Sequence, residues 1–135
     1  MPSLPSVDGA LSSRLLAYSN LTALVGTKIF NLEAPPGVAL PYVTYYIASG
    51  LIPNTVQRDT LNFVYRVQSL ATSRASAEAI HQQIYAALHE STLTITGWSN
   101  YWTACETITT LFENVSGSPR WRFVGNYRVK ASSDT

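Results

Sequence analysis

The stretch that most constrains the fold is residues 60–70, where apolar and polar side chains alternate. One set is Leu61, Phe63, Tyr65 and Val67, and the other is Asn62, Val64, Arg66 and Gln68. Because successive side chains of a strand point to opposite faces, this period buries one face and leaves the other mostly solvated. A strand with one wet face is typical of an antiparallel sheet that is covered on one side only.

A proline-rich bend marks where the preceding strand begins. Pro35, Pro36 and Gly37 favour a bend, and Pro41 follows shortly after them. Proline lacks the N–H that a sheet ladder needs, so Pro41 precedes a strand and does not lie within it. We therefore expect a strand over residues 42–48, with a shorter one at residues 29–32 before the bend.

Two amphipathic segments are predicted to be helices. Residues 8–19 begin at Asp8, a favourable N-cap residue, and residues 73–90 begin at Ser73. The second segment repeats apolar residues at the spacing of one helical face. A further helical turn at residues 20–25 ends at Gly26, which suits a helix C-terminus.

Strands are also expected near residues 93–95, at residues 101–112 and at residues 120–130. In the second of these, the apolar residues are Trp102, Ala104, Ile108 and Phe112. The element order predicts one α+β domain over residues 1–135, with a mainly antiparallel β-sheet and two principal α-helices on one face. Residues 8–130 would form the folded core, and residues 1–7 and 131–135 would be flexible ends.

The composition indicates a surface with few charges. Only 13% of the residues are charged, against about 25% in an average soluble domain. The chain also has eight Tyr and three Trp, the residue types enriched at protein interfaces. This favours a protein largely covered by partners, although an ordinary neutral globule has the same composition.

The last predicted strand carries the one concentration of positive charge. Its aromatic residues Trp121, Phe123 and Tyr127 should point into the core, which leaves a basic face on the other side. That basic face consists of Arg120, Arg122, Arg128 and Lys130. It can be a solvated surface, a contact with an acidic partner protein, or a DNA contact, and we favour the acidic partner over DNA.

The connection at residues 50–59 is too long for a plain hairpin turn. It carries Leu51, Ile52 and Val56, which a solvated loop would not need. We expect these three residues to contact another subunit or a partner.

Evidence for catalysis is lacking in the sequence, which contains no recognised nucleophile, phosphate-binding or metal-binding motif. His81 and His89 lie two helical turns apart, about 12 Å, too far to bind one metal ion together, and are predicted to be surface residues. Cys105 is predicted to be a small buried residue. We therefore expect no enzyme activity, no cofactor and no metal.

Several segments resemble one family of virus assembly proteins, the tail completion or tail terminator proteins of long-tailed bacteriophages. The resemblance rests on residues 21–30 (LTALVGTKIF), on APPG at 34–37 with LPYVTY at 40–45, on LNFVYRV at 61–67, on the helix at 75–89 and on RFVGNYRV at 122–129. It spans roughly residues 10–130 and assigns no catalytic or binding residue.

The resemblance implies a ring, typically a hexamer, at the head-proximal end of the tail tube. Its partners would be other copies of the chain, the tail tube protein and the head–tail connector or stopper protein, while DNA passes through without specific binding. The protein would belong to the virion and assemble in the bacterial cytoplasm, and no segment is apolar enough to enter a membrane. The alternatives are a head-completion or stopper protein of the neck and a small non-catalytic α+β binding module.

Overall fold

The computed structural model describes residues 6–51 and 60–134. The helices are α1 (Val7–Ala17), α2 (Ser19–Val25) and α3 (Arg74–Leu88). The strands are β1 (Ile29–Asn31), β2 (Tyr42–Leu51), β3 (Thr60–Ala71), β4 (Thr94–Ile95), β5 (Trp98–Val115) and β6 (Ser118–Ser133).

The six strands form one sheet in the order β1-β2-β3-β6-β5-β4. Every neighbouring pair is antiparallel except β1 and β2, which are parallel. The prediction of a single, mainly antiparallel α+β domain is confirmed. The last strand in the sequence, β6, lies inside the sheet between β3 and β5.

The helices cover one face of the sheet. Ser69 Oγ on β3 donates a hydrogen bond to the carbonyl of Ala77 on α3 at 2.8 Å, and Tyr65 on the same face of β3 donates to Asp8 on α1. The core between these layers contains fully buried leucines of all three helices, among them Leu11, Leu21 and Leu88. We call the uncovered side of the sheet the open face.

Local sequence signals determine the first residues of β2 and α3. β2 begins at Tyr42, directly after the cis Leu40–Pro41 bond, and α3 begins after Ser73, whose side chain accepts a hydrogen bond from the Ser76 N–H at 3.1 Å. The expected N-cap at Asp8 is wrong, because α1 begins one residue earlier, at Val7. The Asp8 carboxylate instead accepts hydrogen bonds from side chains of β1 and β3.

Two chain segments differ from the expected boundaries. β6 continues past residue 130 to Ser133, and the side chains of Ala131 and Ser133 are fully buried. Gly50 and Leu51, expected in a loop, are the last residues of β2, where Leu51 pairs with Asn62. The predicted contact residues Ile52 and Val56 lie outside the described residues.

Candidate assembly interface

The four predicted basic residues of β6 lie together on the open face. Phe123 packs against His81 of α3, so the side chains that alternate with it, such as Arg122, point away from the helices. Trp121, Phe123 and Tyr127 belong to the helix-covered side, as the sequence predicts.

Two of these cations have carboxylate partners on the neighbouring strand β5. Arg122 donates to Glu113 at 2.8 Å and to Gln68 at 2.9 Å. Arg128 donates to Glu106 at 2.8 Å, and this hydrogen bond raises the pKa of the guanidinium. Much of the charge at these two positions is therefore compensated within the domain.

The other two cations, Arg120 and Lys130, have no carboxylate partner among the described residues. The Nε of Arg120 is buried without a hydrogen-bond partner, and Lys130 has no ion pair among the described residues. Arg66 on β3 adds a fifth cation that the sequence placed only on a wet face; it donates to Tyr46 Oη at 3.0 Å and to Asn126 Oδ1 at 3.2 Å. The open face thus keeps a net positive charge.

Shallow grooves run between the side chains of the open face. One, of about 330 Å³, lies over β3 and β6 and is bounded by Tyr46 on one side and Leu111 on the other. A second, of about 480 Å³, extends towards β1 and includes Arg120, Arg122 and Glu33. Both are open, with a mixed lining in the first and a mainly polar lining in the second, which suits a protein contact better than an enclosed ligand site.

The hairpin of β5 and β6 extends beyond the rest of the sheet and exposes apolar side chains. β3 pairs with β6 only as far as Trp121, so the end of the hairpin has no third strand. Leu111, Phe112 and Val115 are 50%, 53% and 42% exposed. Phe112 is one of the four apolar residues that the sequence marks in this strand. Of the others, Ile108 and Trp102 are both 49% exposed, and only Ala104 is buried.

The outer edge of β5 is covered in its first part and open in its second. The Glu90 N–H donates to the Thr103 carbonyl at 2.7 Å, and the Cys105 N–H donates to His89 Nδ1 at 3.0 Å. From Ile108 to Val115, no backbone hydrogen bond from the described residues reaches this edge. The residues that follow α3 therefore cover only the beginning of the strand.

The outer edge of β2, at the other side of the sheet, is also covered in its first part and open in its second part among the described residues. β1 pairs with Val43–Tyr45, and the Leu32 N–H donates to the Tyr45 carbonyl at 2.7 Å. Beyond that point the described residues supply no partner to the outer edge of β2. The side chains of Ile47, Ala48 and Ser49 are exposed there, with Ile47 at 44%.

His81 is a buried residue and not the surface histidine that the sequence suggested. It is 3% exposed, its Nε2 lies 3.1 Å from Tyr127 Oη, and burial lowers its pKa to about 4. The sequence contained a signal for this, because His81 is four residues after Ala77 and three before Ile84, on the apolar face of α3. It faces Gly125, where a Cβ would lie 2.7 Å from the imidazole.

The other candidate reactive group, Cys105, is partly buried and packs against the core. Burial raises the pKa of its thiol, which disfavours the thiolate that a nucleophile requires. Residues 6–51 and 60–134 contain no cluster of three His, Cys, Asp or Glu side chains placed to hold a metal ion. None of the helices in these ranges is long and apolar enough to cross a membrane.

A comparison with protein families matches residues 9–116 to the family of tail completion protein gp17. The chain belongs to this family. The resemblance inferred from the sequence is confirmed, and the domain is a structural component of a bacteriophage-type virion tail. Such a component associates with other virion proteins, and a structural family favours a non-enzymatic role.

Solved structures share the fold. A chain from the "virion of native gene transfer agent (GTA) particle" has a TM-score of 0.75 at 20% identity, over 95% of this chain and 98% of that one. A second solved chain has a TM-score of 0.57 at 12% identity, over 96% and 94% of the two chains. No curated protein matches the sequence significantly.

Proposed function

We propose that this tail completion protein is a tail terminator that forms a ring, a hexamer by resemblance to its family, on the head-proximal end of the tail tube. The ring stops growth of the tube and joins it to the head connector. The observation that carries the proposal is the exposed apolar end of the β5–β6 hairpin, with Leu111, Phe112 and Val115 about half exposed. Leu111 and Val115 lie on the open face and Phe112 on the other face, so the end of the hairpin exposes apolar side chains on both faces, which favours a protein–protein contact.

A ring of identical subunits needs two different surfaces on each subunit that fit each other. The hairpin provides one surface on the β5 side of the sheet. The exposed residues near the end of β2, Ile47 to Ser49, provide the other on the opposite side. From the sequence, we add Leu51, Ile52 and Val56 to the proposed contacts. These three residues retain the role that the sequence suggested, as contacts with the next subunit or with the tube.

The basic open face is proposed to bind an acidic protein surface while DNA passes through the ring without specific binding. Arg122 and Arg128 are already bonded to Glu113 and Glu106, and a carboxylate beside a cation repels phosphate. Arg120 and Lys130 remain available to carboxylates of a partner. Two aromatic side chains on this face, Tyr46 and Trp102, lie on β2 and β5 and are separated by β3 and β6. They do not form the row of adjacent stacking platforms used for single-stranded nucleic acid.

The test is assembly with purified tail tubes, followed by native mass spectrometry and negative-stain electron microscopy. We expect multimers and a ring at one end of each tube. Replacing Leu111 and Phe112 with Ser should prevent ring formation, since their apolar contacts are lost. The matched control replaces Leu16 and Leu24, which are similarly exposed at 41% and 44% on α1 and α2, and should assemble normally.

A parallel assay with purified head connectors distinguishes the neck alternative. Binding to connectors without binding to tubes would identify a stopper and contradict the terminator assignment. A strict monomer in the presence of both partners would contradict both assignments.

A further inference from the structure

Among residues 6–51 and 60–134, each outer edge of the sheet has a part with no strand beside it. The open part of β2 lies at the level of residues 102–107 of β5, and the open part of β5 lies farther towards the end of the β5–β6 hairpin. On β5 the open part runs from Ile108 to Val115, beyond the contacts made by His89 and Glu90. On β2 it begins at Tyr46, beyond β1, and is described as far as Leu51. Each open part presents backbone N–H and C=O groups that another strand can pair with.

The directions of the strands make these edges complementary between copies that have the same orientation. β2, β3, β6 and β5 are successively antiparallel, so β5 runs opposite to β2. When a second copy is placed beside the first in the same orientation, its β2 lies antiparallel to the β5 of the first. The two open parts face each other if the second copy is also shifted along the strands by about two to six residues, and strands inclined to the ring axis allow such a shift in a closed sheet. The helices of both copies then lie on the same side of a continuous sheet.

The open part of β5 has the composition of a pairing strand and lacks the usual protection of an edge. Its sequence at residues 107–112 is TITTLF, with β-branched and aromatic residues and without charge or proline. Glu106 and Glu113 flank it, but both carboxylates point to the open face and bond to arginines of β6. Edges left uncharged in this way pair readily with another strand.

The exposed side chains at the two edges also match. Ile108 pairs with Gly125 and Ile47 pairs with Tyr65, and both of those partners contact the helices. Ile47 and Ile108 therefore lie on the helix-covered side at opposite edges, where they are 44% and 49% exposed. Edge pairing between copies would bring these two apolar side chains to the same seam and bury them.

We propose that neighbouring subunits join by antiparallel pairing of β5 of one copy with β2 of the next, which makes one continuous sheet around the assembly. This rests on the proposed ring and specifies how the ring closes. The pairing is heterologous, so each copy uses one edge towards each neighbour. It predicts that residues on the open face of β2 come to lie opposite residues on the open face of β5.

Disulfide cross-linking tests this arrangement. In a Cys105→Ser background, Ser49→Cys on β2 is combined in turn with Thr107→Cys, Thr109→Cys or Leu111→Cys on β5, all on the open face by their pairing within the sheet. Residues directly opposite in an antiparallel pair have Cβ atoms about 4.5–5.5 Å apart, close to the separation that a disulfide needs. The three cysteine positions on β5 test three neighbouring alignments of β5 with the β2 of the next copy.

The control is Ser49→Cys with Thr110→Cys, since Thr110 pairs with Phe123 and lies on the helix-covered side. Each single-cysteine variant is a second control. After mild oxidation, free protein and tube-bound protein are compared by non-reducing electrophoresis. We expect one open-face pair to give a ladder of multimers and the controls to give none.

The possible outcomes separate the interface from the function. A ring that forms on tubes without a ladder in any of the three pairs overturns edge pairing and leaves the terminator role intact. A ladder in free protein that never binds tubes supports the pairing and contradicts the terminator role. Dimers in the Thr109→Cys variant alone would show symmetric pairing of β5 with β5 and would also overturn the proposal.

Discussion

Acid should destabilise this domain through His81, and the size of the effect follows from its burial. The imidazole is 3% exposed and burial lowers its pKa to about 4, whereas an unfolded histidine has a pKa near 6.5. Between these two values the unfolded chain binds a proton that the folded chain does not. The stabilising contribution of the neutral ring is therefore complete above about pH 6.5 and is lost as the pH falls towards 4.

By the linkage relation, this titration lowers the free energy of unfolding by about 2 kcal/mol at pH 5 relative to pH 8. Below pH 4 the decrease is about 3 kcal/mol. Because small domains have a total stability of roughly 5–15 kcal/mol, this loss is readily measured. The assay is urea denaturation followed by Trp fluorescence at a series of pH values between 8 and 4.5. The wild-type protein is compared with His81→Gln, which retains a hydrogen-bonding group for Tyr127 Oη but does not titrate.

Carboxylates elsewhere also titrate in acid, so the informative quantity is the difference between the two pH profiles. His81→Gln should remove about 2 kcal/mol of the pH dependence between pH 8 and pH 5. Parallel profiles for wild type and His81→Gln would refute the reasoning from burial.

Three further changes test separate parts of the structure. Gly125→Ala should destabilise the domain by about 1–3 kcal/mol, measured by the urea midpoint, because the new Cβ would lie 2.7 Å from the His81 ring. Tyr65→Phe should cost about 1.5–3 kcal/mol by the same assay, since it removes a hydrogen bond to the Asp8 carboxylate; an unchanged midpoint would contradict this. Reversing the charge of Arg120 and Lys130 to Glu should leave stability within about 0.5 kcal/mol and slow assembly most at low salt. Salt-sensitive binding of wild-type protein to duplex DNA that the reversal abolishes would contradict the proposed acidic partner.

The strands and helices were predictable where one strong local signal determined them. Pro41 placed the start of β2, Ser73 placed the start of α3, and the alternation in β3 showed that only one face of the sheet is covered. Errors occurred where a tertiary contact decided the outcome. Asp8 is an excellent capping residue in isolation, but Tyr65 is 57 residues away in the chain and provides a better partner.

The proposed interface was only partly predictable for the same physical reason. Alternation placed the cations of β6 on one face, but it could not show that Glu106 and Glu113 compensate two of them. The apolar residues of β5 resembled core residues because hydrophobicity alone does not distinguish burial in a subunit from burial between subunits. The strand pairing distinguishes the two cases. It shows that β3 ends beside Trp121 of β6, so the apolar residues at the end of the β5–β6 hairpin are exposed.

The position of β6 inside the sheet has a consequence for synthesis of the protein. β6 leaves the ribosome after the other five strands of this sheet, and it connects the β2–β3 half of the sheet to the β5 half. β3 pairs with β6 across about 60 residues of sequence, and contacts of such long range form late and slowly. A nascent chain that has not released β6 therefore cannot present both edges on one folded domain. Under the proposed edge pairing, a subunit becomes competent for assembly only after β6 has been released.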